Sequence, residues 1–309
     1  MFKLYQSFQL PLKGIKRSYF TSPTTKSRSF YYGLGLGASA LLYGLYHLVK
    51  SDDNINEIDF VPFTLTSKTK LNHNTSLFHL QGTSPINFPL LSHIQVKHHL
   101  MQIMRPYTVL PLEFQKTKDG FLQKDIVLMI KEYNDGPMSQ FLFRKKVGDK
   151  VEVRGPYYTI REELKKEGKL IMLAAGTGIA PFYQILKVVL NGETKQKFEL
   201  FYFNRNKEDI LLKKELDEMK LKFEDQVKVY YYCEDNKGDD EIANGIVNFE
   251  LINNYLKKNP LSSNDKILIC GPEGFLRAIG GAKLNDYEDG EVTGILGKLN
   301  ITKEQVYKL

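Results

Sequence analysis

In the second half of the chain, short and almost uninterrupted apolar runs alternate with segments of helical periodicity. The run Lys169–Ala175 is followed at once by the glycine turn Gly176–Pro181, and Phe182–Leu190 then has the spacing of an amphipathic helix. Three further apolar runs follow along the chain: Lys197–Phe203, Val227–Cys233 and Lys266–Cys270. Apolar strands that alternate with helices are typical of a parallel sheet covered on both faces. The pattern therefore predicts an α/β parallel-sheet domain over residues 163–309.

Between residues 57 and 162 the runs are shorter, and several alternate apolar and polar side chains. Turn residues such as Asn134-Asp135-Gly136 separate them. The predicted strands are Phe60–Thr66, Thr75–Gln81, Ile94–Val96, Arg105–Leu110, Ile126–Lys131 and Lys150–Arg154. Short strands separated by turns favour a closed antiparallel β-barrel. The chain is thus expected to contain a barrel followed by an α/β domain.

The ends of the apolar strands in the second domain carry the candidate nucleotide-binding residues. Backbone amides of Gly176, Thr177 and Gly178 lie where a strand meets a helix, a position that favours a phosphate group. Asn204, Arg205 and Asp209 follow the next strand, where side chains of an open parallel sheet face a ligand. Arg205 suits a 2′-phosphate and Asp209 suits a free ribose hydroxyl, so the two predict opposite dinucleotide preferences. At the end of the last apolar strand, Cys270 can lie against a bound ring, although such a cysteine is more often a small buried hydrophobe.

Three stretches of the barrel carry further candidate binding residues. Arg105-Pro106-Tyr107-Thr108 offers a guanidinium fork for a pyrophosphate, a ring that can stack, and a hydroxyl. The strand end Ile130-Lys131-Glu132-Tyr133 sends Lys131 and Tyr133 to one face. Gly136-Pro137-Met138-Ser139 begins a predicted helix, whose free amides and Ser139 hydroxyl are expected to face phosphate oxygens.

The first fifty residues are expected to contain a targeting peptide and a membrane-spanning helix. Residues 1–29 are rich in basic, hydroxyl and aromatic residues and contain no Asp or Glu, which is typical of a mitochondrial transit peptide. Residues 30–49 contain no charged residue and, as a helix of about 30 Å, are long enough to span a bilayer. Basic residues precede this span and Asp52, Asp53 and Glu57 follow it. This asymmetry predicts a body in the intermembrane space, tethered to the mitochondrial inner membrane.

Charge and cysteine content exclude several other classes of protein. The net charge is +7, but six basic residues lie before residue 31, and the rest of the chain has 37 basic against 36 acidic residues. A nearly neutral body indicates no nucleic-acid partner. The two cysteines are too few for a disulfide framework or a cysteine-ligated zinc or iron–sulfur site, and no metal site is predicted. Redox chemistry would then need a dissociable organic cofactor or a bound metal with other ligands.

Taken in order, the motifs resemble the NADH–cytochrome b5 reductase branch of the ferredoxin-reductase superfamily over residues 57–275. They are Arg-Pro-Tyr-Thr, Ile-Lys-Glu-Tyr, Gly-Pro-Met-Ser, Arg154-Gly155-Pro156, Gly-Thr-Gly-Ile-Ala-Pro, Asn-Arg-x-x-x-Asp-Ile-Leu-Leu and Cys-Gly-Pro. The resemblance implies an FAD-binding barrel, a domain for NADH or NADPH, and a haem-protein acceptor such as cytochrome b5. The residues that it assigns to FAD are Arg105, Tyr107, Thr108, Lys131, Tyr133, Gly136, Met138 and Ser139. Those that it assigns to the nicotinamide nucleotide are Gly176, Gly178, Pro181, Asp209, Cys270, Gly271 and Pro272, with Thr177 touching both cofactors.

The C-terminal stretch departs from that pattern. Glu273 stands where the family usually has a second proline, and more than thirty residues follow it. The segments Gly280–Lys283, Gly294–Gly297 and Val306–Leu309 resemble a yeast mitochondrial flavoprotein that assists haem attachment to cytochrome c. Residues 276–309 are therefore interpreted as an atypical extension.

The resemblance implies a reaction that uses Thr108 and Cys270 as its catalytic contacts. The nicotinamide ring is expected between Gly176–Pro181 and Cys270–Pro272, with Thr108 bonded to the reactive flavin nitrogen. Electrons would then pass singly to haem iron. Three hypotheses remain: a reductase that serves cytochrome c maturation, a general cytochrome b5 reductase, and a tethered assembly factor without turnover.

Overall fold

The structure, a computed structural model, describes residues 55–160, 167–236, 238, 240–284 and 290–309. The predicted transit peptide at 1–29, the predicted span at 30–49 and the predicted domain boundary between 162 and 163 lie outside the described residues. Within the described part, no helix has both the length and the apolar character needed to cross a bilayer.

The first domain is an antiparallel six-stranded sheet that curls around its own apolar core. The strand order is β5-β4-β9-β1-β2-β8. Its strands are β1 (Val61–Lys70), β2 (Thr75–Gln81), β4 (Ser92–His98), β5 (Ile103–Thr108), β8 (Ile126–Lys131) and β9 (Lys150–Tyr158). Side chains alternate between core and solvent along β4 and most of β1, as the sequence pattern predicted. Each of the six predicted strands is present: three are longer than predicted, two have the predicted bounds and β5 is shifted by two residues.

Closure of this barrel is incomplete, which corrects the prediction of a closed one. In the described residues, the edge strands β5 and β8 approach each other at an isolated bridge between Val109 and Leu128. The amide of Leu110 adds a bond of 2.9 Å to the carbonyl of Val127. The chain leaves β5 after Thr108, so one bridge replaces a full ladder. The first domain is therefore a half-barrel, open along the side that faces the second domain.

A second, three-stranded sheet in the barrel domain was absent from the sequence prediction. Its order is β3-β7-β6, with β3 at Ile86–Pro89, β6 at Gln115–Lys116 and β7 at Gly120–Gln123. Strands of two to four residues are too short to show periodicity. Phe88 and Phe121, which stack within this sheet with ring centroids 5.4 Å apart, are both buried in the barrel core and so attach the sheet to it. One helix, α1 (Pro137–Arg144), lies between β8 and β9.

The second domain is a wholly parallel six-stranded sheet with the order β13-β12-β11-β10-β14-β15. Its strands are β10 (Lys169–Ala175), β11 (Lys197–Asn204), β12 (Val227–Cys233), β13 (Ile242–Asn244), β14 (Lys266–Cys270) and β15 (Val306–Lys308). Its helices are α2 (Ile179–Val189), α3 (Lys213–Lys222), α4 (Phe249–Lys258), α5 (Glu273–Gly280) and α6 (Gly294–Lys298). The four apolar runs are the four central strands, which confirms the predicted parallel sheet.

The order of these strands reverses between β10 and β14. From β10 the chain moves to one side through β11 and β12, and it later returns to place β14 on the other side of β10. Loops that leave the carboxyl ends of β10 and β14 therefore diverge, and a crevice opens between them. The glycine turn after β10, a single 3₁₀ turn at Gly176–Gly178, and the Gly271-Pro272 turn after β14 form its walls.

The C-terminal stretch completes the sheet and is not an appendage to it. Strand β15 pairs in parallel with β14. Lys308 is only 3% exposed, and its Nζ donates to the carbonyls of Ala282, Gly290 and Glu291 at 3.1, 3.2 and 3.3 Å. A buried ammonium group needs such partners. Lys308 thus fixes the segment between α5 and α6 to the edge of the sheet.

Several acidic groups of the second domain hold their protons more tightly than they would in water. Burial raises the pKa of Tyr202 well above its ordinary value, and it raises the pKa of the Cys270 thiol to about 12. Burial and the neighbouring carboxylates of Asp217 and Glu199 raise the pKa values of Tyr231 and Tyr255. The folded chain therefore keeps protons that the unfolded chain loses above about pH 8.5 to 10.

We expect alkaline pH to destabilise the fold. Because the folded-state pKa values are raised, their stabilising effect is complete below the unfolded values and is lost as the pH rises above them. The urea midpoint of unfolding, followed by circular dichroism, should fall between about pH 8 and about pH 10.5. An unchanged midpoint over that interval would show that these groups do not control stability.

Candidate functional site

Two adjoining cavities occupy the crevice between the half-barrel and the parallel sheet. The first, called the flavin pocket here, has a volume of about 670 Å³ and is lined mainly by Arg105–Thr108, Gly136–Ser139, Thr177–Gly178 and Cys270–Glu273. The second, the nucleotide pocket, has a volume of about 700 Å³ and is lined by both domains. Lys131, Tyr133, Thr177 and Pro272 line both cavities. The structure thus brings the candidate residues of both domains into one continuous site.

Strand β5 supplies the barrel wall of the flavin pocket. Arg105, Pro106, Tyr107 and Thr108 all line it, as the sequence predicted. Arg105 is exposed and donates from Nη1 to the carbonyl of Met104 at 2.8 Å, which leaves its other nitrogens toward solvent and the pocket. Burial raises the pKa of Tyr107, so its phenol is neutral and its ring can serve as an apolar face.

The amino end of α1 forms the floor of the flavin pocket. The turn is tight: a Cβ at Gly136 would lie 2.7 Å from Ser139 Oγ and 2.9 Å from Tyr133 Cβ. No side chain among the described residues caps the helix at Gly136, so its first amides can receive an anion. This bare helix end beside Arg105 fits the diphosphate of FAD. The buried Met138 supplies an apolar neighbour.

Two residues predicted to contact FAD have other contacts in the structure, and their roles toward FAD stay predictions. The Ser139 hydroxyl accepts from the amide of Tyr133 at 3.1 Å and donates to the carbonyl of Gly136 at 3.0 Å, so it shapes the turn. Ile130 is 2% exposed, packs in the barrel core and lines neither pocket. Alternation along β8 explains Ile130, because neighbours of the pocket-facing Lys131 must point the other way.

The glycine turn after β10 approaches the loop after β14 at van der Waals limits. A Cβ at Gly178 would lie 2.2 Å from the carbonyl oxygen of Cys270 and 2.8 Å from the amide nitrogen of Gly271. Gly176 has a positive φ of 54°, and its carbonyl accepts a bond of 2.9 Å from the hydroxyl of Tyr202. The two loops can therefore lie this close only because Gly178 has no side chain. With Pro181 they form the sheet wall of the flavin pocket.

Asn204 provides a direct indication that the nucleotide pocket is built for a ligand. It is 7% exposed and lines the pocket at the end of β11, and neither atom of its side-chain amide makes a hydrogen bond of good geometry among the described residues, although the Tyr202 hydroxyl lies near enough to interact with it. Leaving such a group unpaired costs about 1–3 kcal/mol. A polar ligand that bonds this amide would remove that cost, so the donor set here fits a dinucleotide. Arg205 lines the same cavity and is exposed.

Lys131 lies in the half-barrel and Asp209 lies in the second domain, and their side chains contact each other across the site. Lys131 Nζ, from the half-barrel, lies 3.3 Å from Asp209 Oδ1, and His73 Nε2 lies 3.9 Å from the same oxygen. The Asp209 side chain is only 6% exposed. Its charge is therefore compensated across the domain interface, and it is poorly placed to select a ribose hydroxyl as the sequence analysis expected. Lys131 lines both pockets, and its predicted contact with FAD stays a prediction.

The sequence analysis missed Glu234, the carboxylate that lies nearer to the exposed part of the nucleotide pocket. It follows β12 directly and lines the cavity together with Arg205. Backbone bonds join the two loops: the amide of Glu234 reaches the carbonyl of Asn204 at 3.2 Å, and that of Asp235 reaches Arg205 at 3.0 Å. The rule that residues just past a parallel strand face the crevice could have found it. His73, Asn74, Phe203 and Phe275 line this cavity too, and only Phe203 lies in a predicted strand.

Cys270, the last residue of β14, lies in the sheet wall of the flavin pocket, and its thiol is neutral. Burial raises its pKa to about 12. A thiol that stays protonated at neutral pH is a poor nucleophile and a compact apolar surface. Cys270 can therefore contact a planar ring in the flavin pocket, as predicted, without covalent chemistry.

Substitution of Gly178 by Ala should separate the two nucleotide-binding loops. The new Cβ cannot fit beside the carbonyl of Cys270, so the loops must move apart. We expect the rate of flavin reduction by saturating dinucleotide to fall about 10- to 100-fold, as measured by stopped-flow absorbance. Gly274→Ala is the matched control, because a Cβ there meets nothing within 4 Å. Equal rates in the two variants would contradict this role for Gly178.

Removal of the Arg105 side chain should weaken FAD binding. Loss of a guanidinium–diphosphate contact costs on the order of 2–4 kcal/mol, or about 30- to 1000-fold in affinity. Flavin content after gel filtration and a fluorescence titration would measure the effect in Arg105→Ala. Arg144→Ala, at the exposed far end of α1, serves as the control. Full retention of yellow colour by Arg105→Ala would argue against this placement of the diphosphate.

Comparison with known proteins agrees with this division of the site. The oxidoreductase FAD-binding domain family matches residues 62–161, and the oxidoreductase NAD-binding domain family matches residues 172–280. Among solved structures, the CS-b5R domains of human Ncb5or are similar with a TM-score of 0.66 and 24% identity, over 84% of this chain and 71% of that one. The cytochrome b5 reductase domain of Ulva prolifera nitrate reductase has a TM-score of 0.65 and 21% identity, over 82% and 99% of the two chains. These likenesses show the shared fold.

Similar curated proteins extend along nearly the whole chain. NADH-cytochrome b5 reductase 2 of Aspergillus terreus is 32% identical over 96% of this chain and 96% of its own. The protein of the same name from Meyerozyma guilliermondii is 37% identical over 67% of each chain. The chain is therefore an oxidoreductase that binds FAD and a nicotinamide dinucleotide, and it belongs to the NADH-cytochrome b5 reductase family.

Proposed function

We propose that this protein takes a hydride from NADH and delivers electrons to a haem-protein acceptor. The observation that carries the proposal is the meeting of the two pockets at Tyr133, Thr177 and Pro272, which lets two planar cofactors lie against each other. When bound, FAD accepts the hydride and releases its two electrons singly. The names of the relatives, NADH-cytochrome b5 reductases, support a haem protein as acceptor.

In this proposal the residues of the chain position and isolate the reactants. Arg105 and the amino end of α1 hold the flavin diphosphate. Thr108, on the barrel wall of the flavin pocket, offers its hydroxyl or backbone to the flavin ring. Gly178 and Cys270 close the opposite wall without a charged group, since the Cys270 thiol is neutral. The dinucleotide reaches this wall from the nucleotide pocket, where Asn204 awaits a polar partner.

The charges of the nucleotide pocket favour NADH over NADPH. Arg205 is the cation that suits a 2′-phosphate, but Glu234 lines the same cavity and repels it. Lys131 adds little positive charge for a 2′-phosphate, because its ammonium group is paired with the carboxylate of Asp209. Apart from the Lys131–Asp209 pair, a dianionic 2′-phosphate meets one cation, Arg205, and two carboxylates, Glu132 and Glu234. The free ribose hydroxyl of NADH carries no charge that these carboxylates would repel.

Glu234→Gln should raise the use of NADPH. Removal of the carboxylate leaves Arg205 to pair with the 2′-phosphate, and we expect kcat/KM for NADPH to rise about 10-fold with little change for NADH. Glu241→Gln is the control, because Glu241 lies in the same domain but outside the nucleotide pocket and its carboxylate pairs with Lys213. If Glu234→Gln leaves the ratio of kcat/KM for NADPH to kcat/KM for NADH unchanged, this carboxylate does not set the preference between the two dinucleotides.

The proposal has two forms, which differ in the electron acceptor. The finer form names haem of cytochrome c maturation, and the coarser form names cytochrome b5. The resemblance of Gly280–Lys283, Gly294–Gly297 and Val306–Leu309 to a flavoprotein of cytochrome c haem attachment favours haem iron, before or after its attachment, as the acceptor. The family membership supports cytochrome b5. Purified full-length protein in detergent, given NADH, should reduce haemin faster than cytochrome b5 if the finer form holds. Faster reduction of cytochrome b5 would leave a general reductase, and a flavoprotein that NADH cannot bleach would leave only a tethered assembly factor.

We also propose that the protein is tethered to the mitochondrial inner membrane with its body in the intermembrane space. The support is the acid-free basic stretch at 1–29, the uncharged stretch at 30–49 and the acidic residues after it. In mitochondria with ruptured outer membranes, added protease should digest the body while matrix proteins survive. Protection of the body under those conditions would overturn this topology.

A further inference from the structure

Gln184, on α2, is the most completely buried polar residue at the interface between the two domains. It is 0% exposed, yet its side chain is fully bonded. Its Oε1 accepts from the amide of Leu91 at 2.7 Å, and its Nε2 donates to the carbonyls of Val109 at 3.0 Å and Ser92 at 3.4 Å. All three partners are backbone groups of the half-barrel, so one amide ties the second domain to the first.

Each partner of Gln184 lies beside a part of the site. Val109 directly follows Thr108, which lines the flavin pocket. Leu91 lies in the turn before β4 and Ser92 begins that strand, whose His93 pairs with Thr108. Leu91 has a positive φ of 56°, a conformation unusual for a leucine, and its amide is held by Gln184. The bonds of Gln184 therefore hold the end of β5 and the turn before β4 in one arrangement.

The other end of this connection is the wall that receives the nicotinamide. Helix α2 begins at Ile179, immediately after Gly178, and Gln184 lies about 9 Å further along the same rigid helix. The path from Thr108 through Val109, the Gln184 amide and α2 to Gly178 contains no flexible loop. We propose that Gln184 is a positioning residue that sets the separation between the flavin wall and the nicotinamide wall. The proposal rests on the hydride transfer proposed above.

The other described polar contacts between the domains are less suited to this task. Lys116 Nζ reaches the carbonyl of Val189 at 3.2 Å, and Asn72 Nδ2 reaches that of Glu208 at 3.0 Å. The ion pair of Lys131 with Asp209, 3.3 Å between Nζ and Oδ1, also joins the domains, but it connects two side chains and holds no backbone group. A side chain that satisfies three buried backbone groups is costly to disturb, because each group left unpaired loses its hydrogen bond without regaining one from water.

A neighbouring residue separates positioning from simple packing. Val188 lies one turn beyond Gln184 on α2, is 2% exposed and packs into the core of the half-barrel. Val188→Ala therefore weakens the same interface without removing a hydrogen bond. Gln184→Met, in contrast, keeps the length and volume of the side chain and removes all three bonds.

The test compares full-length wild type, Gln184→Met and Val188→Ala in detergent, each loaded with FAD. The measurements are the rate of flavin bleaching at saturating NADH, the long-wavelength charge-transfer absorbance with NAD⁺, the dissociation constant for FAD and the Tm. In Gln184→Met we expect the bleaching rate to fall at least about 10-fold and the charge-transfer absorbance to be lost, with FAD affinity within about threefold of wild type. In Val188→Ala we expect a lower Tm and a bleaching rate within about twofold of wild type.

A bleaching rate and charge-transfer absorbance like wild type in Gln184→Met would overturn the inference, as would equal slowing in Val188→Ala. If Gln184→Met does not fold, Gln184→Glu takes its place. Its protonated carboxyl group keeps the bond from Leu91 but has one hydrogen for two carbonyls, so we expect a rate about threefold below wild type. A wild-type rate in that variant would also overturn the inference. Failure of NADH to bleach the wild-type flavin would instead overturn the proposed function.

Discussion

The site depends on the fixed placement of one helix, α2, against the half-barrel. Val188 of α2 packs into the barrel core, while most of the helix packs into the core on one face of the parallel sheet. Because the same rigid element belongs to both cores, the two domains cannot slide past each other without breaking packing on both sides. The incomplete closure between β5 and β8 leaves the barrel open toward this helix. This packing holds the two walls of the crevice at a fixed separation, and both pockets lie in that crevice.

The chemistry of the crevice follows from which charges the fold pairs and which it leaves available. Asp209 and Lys131 neutralise each other across the interface, and the Cys270 thiol is held neutral by burial. The centre of the site is therefore nearly free of net charge, as suits contact between planar rings. Charged groups remain at its two ends: Arg105 near the bare end of α1, and Arg205 with Glu234 at the far side of the nucleotide pocket. This distribution matches two dinucleotides whose phosphates and ribose lie away from their reactive rings.

Close backbone approach is the second requirement of the site. Gly178 stands so near the carbonyl of Cys270 that any side chain would collide, and Gly136 stands equally near Ser139. At both positions glycine allows a turn to meet its neighbour, and a ligand can then lie against backbone amides. The C-terminal strand β15 contributes indirectly, since it pairs with β14 and supports the loop that carries Cys270 and Gly271.

The sequence by itself determined the longer strands of both domains, the parallel sheet and about half of the residues that line the two pockets. Short uninterrupted apolar runs such as Lys169–Ala175 are typical of strands that are buried on both faces of a parallel sheet. A glycine turn directly after such a strand marks the edge of the sheet where ligands bind. Short strands such as Gln115–Lys116 escaped it because two residues carry no periodicity. What a side chain does inside the site was also beyond it: Lys131 and Asp209 are 78 residues apart and were assigned to different cofactors, yet they bond to each other. The roles of Gln184, Glu234 and Lys308 likewise depended on distant backbone groups that only the tertiary structure brings near, because a hydrogen bond or an ion pair is decided by distance in space and leaves no local pattern in the sequence.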